Sequence, residues 1–214
     1  MAEPLNLLGF RHSVYTRIAR MGLIETGLTA TYVEANPFAA EPDPVLAAIT
    51  PLGRVPVLQH GDFVLTETAA ILRYLNDLGP KASLIPTDPQ SAARMAQVMG
   101  IVDAYVYQPL VRKVFSHGFY QAAVGEDGDS AIVAEGLVLS QAPLRALDSI
   151  AAGGLQLGGA RISLADLHLA PMMDYFVRVP EAADLLRHYS ALSAWWDEIS
   201  NHPSLRDTDP FPDQ

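Results

Sequence analysis

Apolar positions along the first eighty residues change their period several times, and each change marks an element. Leu5-Asn6-Leu7-Leu8-Gly9-Phe10 is a short apolar run of strand length. Val14, Ile18 and Met21 then recur at helical spacing, and Gly27 suits the C-terminal cap of that helix. Thr29 to Glu34, rich in β-branched and aromatic residues, reads as a second strand. A Pro-rich loop, Asn36 to Pro44, leads to a short helix within EPDPVLAAIT. Pro56 to Gln59 and Phe63 to Leu65 flank His60-Gly61-Asp62, the pattern of an antiparallel hairpin. Ile71, Leu72, Leu75 and Leu78 make one face of a helix closed by Gly79-Pro80. The order is βαβ, then α, then ββα, which predicts a small α/β unit with a mixed sheet over residues 1–80.

The pattern changes around GPKASLIPTDPQSAAR, residues 79–94, with its three prolines and small polar residues. This reads as a connection between domains, with the linker proper at 81–90. Beyond it, residues 91–214 read as an all-helical domain. One long helix is expected from Asp88 to about His117, bent where Pro109 interrupts it. A polar loop, GEDGDS, precedes a helix from about Ser130 to Ala152. SLADLHLAPMMDYF opens on Ser163 with Asp166 three residues later, the spacing of a capping box. A last helix is expected from Tyr189 to Asn201, and the tail HPSLRDTDPFPDQ is expected to be extended. The sequence holds no internal repeat.

Composition narrows the function classes. Half of the 214 residues are hydrophobic, enough to bury a substantial core. No apolar run approaches the roughly 18 residues of a membrane-spanning helix, so no membrane partner is expected. The first residues, MAEPLNLLGF, lack the basic and long apolar stretches of a secretory leader. The net charge of −10, from 14 basic and 24 acidic residues, argues against nucleic acid as a partner. The chain has no cysteine, which removes disulfides, thiolate metal sites and cysteine nucleophiles. Its six histidines form no close helical pair, and no metal is expected.

SVYTRIARMGL, PLGRVPVL, TETAAILRYL, LIPTDP and SLADLHLAP occur in this order over about 160 residues. With these motifs the chain resembles the cytosolic glutathione S-transferases, in the serine-type form of bacterial, theta-, phi- or zeta-like members. The resemblance covers nearly the whole chain. It implies a thioredoxin-like βαβ-α-ββα domain followed by an all-helical domain, a cytoplasmic homodimer, and glutathione as substrate. It further implies transfer of the glutathione thiolate to a small electrophile, a detoxification chemistry.

The resemblance also distributes roles, and each residue carries a plainer reading beside it. A cis Val55-Pro56 bond would present the Val55 backbone to the cysteinyl backbone of glutathione; the plainer reading is an edge-strand proline. Glu67 and Thr68 open a helix, where free N–H groups and the positive dipole end favour a carboxylate. They would complement the γ-glutamyl head, although the family usually has glutamate followed by serine and Thr68 adds a methyl group. Glutamate at a helix start is equally explained by the dipole. Arg54 is a candidate for the glycyl carboxylate or a solvated surface arginine.

Glutathione transfer needs the sulfur as thiolate, and a free thiol has a pKa of roughly 8.5. A hydroxyl at a helix N-terminus can stabilise the anion through one hydrogen bond. Ser13 stands directly after the first strand and four residues before Arg17, as in the serine-type classes. It is either that donor or a simple N-cap. Tyr15 and Thr16 are the reserve hydroxyls, and Arg11 and His12 depart from the short or aromatic residues expected before the serine. Gly9 and Phe10 leave no tyrosine at the end of the first strand. Neither a GxSxG elbow nor a matched histidine and acid accompanies Ser13, which excludes a hydrolase reading.

The second substrate is expected to face the long helix, against Tyr105, Tyr107, Leu110, Val111, Val114 and Phe115, a stripe that also fits ordinary core packing. Asp103 is a candidate to reach the glutathione ammonium across a dimer. Two rivals remain: a non-catalytic glutathione-binding or interaction protein of the same fold, and a glutathione-dependent isomerase or dehalogenase. The isomerases carry a Ser-Ser-Cys run that RHSVY lacks.

Overall fold

The computed structural model describes residues 3–39, 41, 43–158 and 161–212. The chain separates into two compact units, one built from residues up to Leu84 together with the segment from Pro203 onward, the other from Ile85–His202.

The first unit has the order expected from the sequence. β1 (Leu5–Gly9), α1 (Val14–Thr26), β2 (Thr31–Glu34), α2 (Pro44–Ile49), β3 (Val57–His60), β4 (Phe63–Leu65) and α3 (Thr68–Leu78) follow in turn. The four strands form one sheet in the order β2-β1-β3-β4; β1 pairs parallel to β2 and antiparallel to β3, and β3 pairs antiparallel to β4. Successive side chains of a strand point to opposite faces, so the run Leu7-Leu8 supplies both sides of the sheet. Leu5, Leu7 and Leu58 pack with Ala19 and Leu23 of α1 and Ile71 and Leu75 of α3. Leu8 and Val57 pack on the other face with Leu46 of α2. Helix starts follow local chemistry: the Asp43 carboxylate accepts from the N–H groups of Val45 and Leu46, and Pro44 occupies the first turn, where a missing N–H costs nothing. Gly27 closes α1 in the left-handed region at φ 73°, as its position suggested. Gly79 caps α3 without entering that region. Residues 40 and 42 of the expected Pro-rich loop lie outside the described residues.

The second unit is helical. α4 (Pro89–Ile101) starts on an Asp88 cap and runs on into a π-helical segment (Val102–Tyr120) and a final turn, α5 (Gln121–Ala123). The expected single long helix is therefore present, but the path around Pro109 widens to i→i+5 bonding instead of remaining an α-helix with one bend. A wider turn gives room to a ring that lacks an N–H and would crowd the preceding carbonyls. α6 (Ser130–Ala152) and α7 (Leu164–Val177) follow, then α8 (Pro180–Leu186), which the sequence pattern did not announce, and α9 (Ser190–Ile199). α7 is buried along almost its entire length. Its start is the reciprocal box read from the sequence: Ser163 caps the helix, and the Ser163 N–H donates to Asp166 Oδ2 at 2.7 Å. Asp166 Oδ1 also accepts from the Trp195 indole at 2.8 Å, which ties α9 to the cap.

The C-terminal segment corrects two expectations. It is not extended, since Pro203–Asp207 forms α10, and it does not group with the helical domain into which residues 91–214 had been placed. The reason is Arg17. This side chain of α1 is only 1 % exposed, and its Nη2 donates to the Leu205 carbonyl at 2.8 Å. Arg20 of α1 donates to the Thr208 carbonyl at 3.4 Å. Farther along, the buried Phe211 ring stacks on His12 with centroids 5.0 Å apart and planes 11° apart. A guanidinium leaves water only where its donors are used again, and carbonyls near the end of a short helix accept them well.

Two outcomes follow from this docking. Replacing Arg17 by Ala removes a buried charged hydrogen bond and leaves a void, at a cost of about 2–3 kcal/mol, read as a melting-temperature drop of roughly 5–10 °C. His12 is held below its ordinary pKa of 6.5, first by burial and then by the Arg11 charge, with Glu34 opposing. The unfolded chain therefore takes up the His12 proton more readily than the folded chain. His12 costs no stability above the unfolded value of about 6.5, and its cost grows as pH falls through that value toward the depressed folded one. His12→Phe should flatten the fall of melting temperature between pH 7 and pH 5, and an unaltered slope would contradict this account.

Candidate active site

Three segments leave the same end of the sheet. Leu8 pairs with Val57, and Leu58 pairs with both Leu7 and Leu65, so β1 ends, β3 begins and β4 ends on one side. Ser13 follows the first, Val55-Pro56 precedes the second, and Glu67-Thr68 follows the third. Neighbouring strands lie ~4.8 Å apart, so the step from β1 across β3 to β4 is roughly 10 Å. That is about the span of three extended residues.

The turn after β1 is closed by its own backbone, with the Ser13 N–H donating to the Phe10 carbonyl at 2.8 Å. The Phe10 N–H donates to Thr16 Oγ1 at 3.2 Å, and the Thr16 N–H donates to Ser13 Oγ at 3.3 Å. Thr16 is buried and sits so close to β1 that a side chain at Gly9 would collide with it. Ser13 is therefore the N-cap of α1. Capping uses one lone pair of the hydroxyl and leaves its hydrogen to donate elsewhere. Accepting an N–H also polarises the O–H bond and makes it a better donor. The two readings of Ser13 are thus compatible.

Beside this turn, Glu34 at the end of β2 accepts the Arg11 N–H at 3.0 Å and the Tyr32 hydroxyl at 2.6 Å. Burial and the Glu34 partner push the Tyr32 pKa well up, so Tyr32 remains a protonated donor. His12 is neutral at pH 7 for the reasons given above, which leaves Arg11 as the cation of the pair Arg11-His12. Tyr15 is half-buried in the first turn of α1.

The Val55-Pro56 bond is cis. Among the described residues, no backbone hydrogen bond uses the N–H or C=O of Val55. Arg54 is exposed. Glu67 precedes α3 with φ 67° and ψ 115°, and its side chain takes no part in capping. A non-glycine residue on that side of the map is strained by about 1–3 kcal/mol, and such strain persists where surroundings enforce it. Thr68 is 6 % exposed, tucked beneath the exposed Glu67. The two thus divide the helix start between a buried hydroxyl and a carboxylate in solvent.

The remaining candidates lie in the helical unit. Asp103 is bonded through Oδ1 to Nε2 of the fully buried His168 at 2.8 Å, with its side chain 44 % exposed. Leu110, Val111, Val114 and Phe115 are buried, and Phe115 stacks on Tyr175 with centroids 4.1 Å apart. Their apolar surface is consumed in packing, the core alternative that their spacing allowed. Tyr105 is exposed and Tyr107 half-exposed. Reading the sequence missed Glu34 and Phe211, because neither lies in a motif and both reach the turn only through the fold. No group of acidic, histidine or cysteine residues suited to a metal occurs among the described residues. No helix among them is long and apolar enough to cross a membrane.

Comparison with known proteins agrees with this geometry. Residues 7–83 match the family model for the glutathione S-transferase N-terminal domain, and residues 119–203 match that for the C-terminal domain. Glutathione S-transferase F9 of Arabidopsis thaliana is 26 % identical over 202 residues, covering 92 % of this chain and 93 % of the relative. The structure of glutathione S-transferase I bound with lactoylglutathione superposes with TM-score 0.81 at 25 % identity, covering 96 % of this chain and 98 % of that one. A theta-class glutathione S-transferase from Xanthomonas axonopodis pv. citri with glutathione bound gives TM-score 0.79 at 26 % identity, covering 96 % and 97 %. With both domain models matched in order and the βαβ-α-ββα sheet followed by helices, the chain belongs to the glutathione S-transferase family.

Proposed function

We propose that this protein transfers the thiolate of glutathione to small electrophiles, with Ser13 as the hydroxyl that stabilises the thiolate. The observation that carries the reading is the state of Ser13. Its oxygen is fixed by the Thr16 N–H at a helix start, and a hydroxyl that accepts there keeps its hydrogen to donate. A thiolate set against that hydrogen gains a charged hydrogen bond and the positive end of α1.

The rest of the grip follows the sheet. The Val55 backbone above β3 pairs with the cysteinyl residue as a short added strand would. The α-carboxylate of the γ-glutamyl head meets the first N–H groups of α3 and the Thr68 hydroxyl, while its ammonium meets the Glu67 carboxylate. Arg54 faces the glycyl carboxylate. Asp103, held by His168 in the helical unit, reaches the glutathione ammonium across a dimer in this reading. Tyr105 and Tyr107, which keep solvent-exposed surface on the long helix, are the side chains of the expected apolar stripe best suited to a second substrate. As the resemblance implies, the protein acts as a cytoplasmic homodimer in this reading.

Replacing Ser13 by Ala removes about 1.5–3 kcal/mol of charged hydrogen bonding and should raise the apparent pKa of bound glutathione by roughly 1–2 units. Ultraviolet titration of the bound thiolate measures this, with Ser13→Thr expected to recover most of the shift. A bound thiol that titrates identically in Ser13→Ala would refute the assignment. Tight binding with no lowered thiol pKa in the unaltered protein would point to a non-catalytic glutathione-binding protein.

Glu67 offers a separate test, because strain and binding pull in opposite directions. Glu67→Gly removes the penalty of the positive φ and the carboxylate together. The melting temperature should hold or rise, while KM for glutathione rises by about tenfold, the loss of roughly 1.4 kcal/mol in one charged contact. A drop in melting temperature with KM unchanged would make Glu67 a purely structural residue.

A further inference from the structure

The C-terminal segment touches the thiolate turn itself, which none of the motifs announced. Phe10, Arg11, His12 and Ser13 form the turn that ends β1, closed by the Ser13 N–H on the Phe10 carbonyl at 2.8 Å. Within it, Phe10 and His12 meet edge to face with centroids 5.3 Å apart. The outer face of the His12 ring is covered by Phe211, nearly parallel at 5.0 Å. Phe211 is buried, and its own N–H is fixed by Asp209 Oδ1 at 2.9 Å, so the ring arrives on an ordered turn. The segment carrying it is anchored twice on α1, by Arg17 to the Leu205 carbonyl and by Arg20 to the Thr208 carbonyl. Anchors and stack thus hold both ends of one short path: the turn before Ser13 and the helix that Ser13 caps.

We propose that the C-terminal segment is a positioning element for the thiolate-stabilising hydroxyl, with Phe211 acting through His12 to fix the turn that aims Ser13. This rests on the reading of Ser13 given above. Phe211 is a positioning residue and touches no substrate in this account. A hydrogen bond weakens steeply with misalignment, so the direction of the Ser13 O–H matters as much as its presence. Residue 12 is the neighbour of residue 13, and its ring is gripped on two sides by Phe10 and Phe211. Removing one grip frees the turn without touching the surfaces above β3 and β4 that hold the rest of the ligand. The expected signature is loss of thiolate stabilisation with ligand affinity retained.

The test compares Phe211→Ala, Phe211→Tyr, His12→Ala and Ser13→Ala in the full chain with glutathione as ligand. Phe211→Ala should raise the apparent pKa of the bound thiol by about half to one unit, a three- to tenfold loss of thiolate below that pKa. KM for glutathione should stay within about twofold. Phe211→Tyr keeps the ring and should titrate like the unaltered protein. His12→Ala should reproduce the Phe211→Ala shift, and the double replacement should add nothing beyond either one, since both break the same stack. Should Phe211→Ala fail to fold, His12→Ala carries the same test without disturbing the segment's anchors. If Ser13→Ala shifts the thiol titration while Phe211→Ala and His12→Ala do not, the positioning role is overturned and the reading of Ser13 survives. If Ser13→Ala leaves the titration unaltered, that reading fails first and the positioning role fails with it. A shift that Phe211→Tyr does not restore overturns the part played by the stacked ring.

Discussion

The hydrogen bond from the Thr16 N–H to Ser13 Oγ decides how the first strand meets the first helix. It closes the N-terminus of α1 over the end of β1, and Thr16 closes it a second time by accepting the Phe10 N–H. The second bond requires the Thr16 side chain to lie against β1, where Gly9 makes room. An N-cap of this kind contributes about 1 kcal/mol, a small part of the stability of a domain. Its larger consequence is geometric, since it selects one orientation for a hydroxyl at the positive end of a helix. In the proposed function, folding and chemistry draw on the same oxygen, through its lone pair and its hydrogen respectively.

The sheet turns that local arrangement into a site. Because β3 runs antiparallel to both its neighbours, the end of β1, the start of β3 and the end of β4 fall together. A hairpin insertion into a parallel βαβ unit produces this convergence from topology alone, before any side chain is chosen. The chain then places a different kind of group at each exit: a hydroxyl after β1, the Val55 peptide groups, which take no backbone hydrogen bond among the described residues, before β3, and a helix start with an exposed carboxylate after β4. An elongated ligand with unlike ends fits such a row better than a compact one does.

Much of this was legible because it depends on short-range rules. Ser13 and Ser163 are caps that announce themselves by residue type and spacing, and each caps its helix. Pro56 opening an apolar run was equally visible. What escaped are effects that depend on distant residues. Arg17 reads as an ordinary surface position of a helix, yet it is buried because the chain returns almost two hundred residues later with a carbonyl to accept its proton. Leu110 and Phe115 were offered as a ligand wall because periodicity shows only that one face is apolar. It does not show what covers that face. The π-helical path through Pro109 was hidden for a related reason, since a proline signals interruption without specifying whether the helix bends or widens.

The balance of charge is the last constraint. In the proposed function a chain with net charge −10 holds a ligand with two carboxylates, and bulk attraction cannot be the means. The groups that converge at the sheet end answer this locally. The starts of α1 and α3 contribute fixed partial positive charges, which act at contact distance and are little screened there. His12, neutral at pH 7, adds no charge beside Ser13, and Glu34 is occupied by the Arg11 N–H and the Tyr32 hydroxyl. An anion stabilised by oriented dipoles responds to the angle of each dipole, whereas one stabilised by a mobile lysine responds mainly to distance. In the proposed function the stacking that surrounds residue 12 therefore belongs to the chemistry as well as to the fold, because a hydroxyl donor lowers a thiol pKa only while its direction is kept.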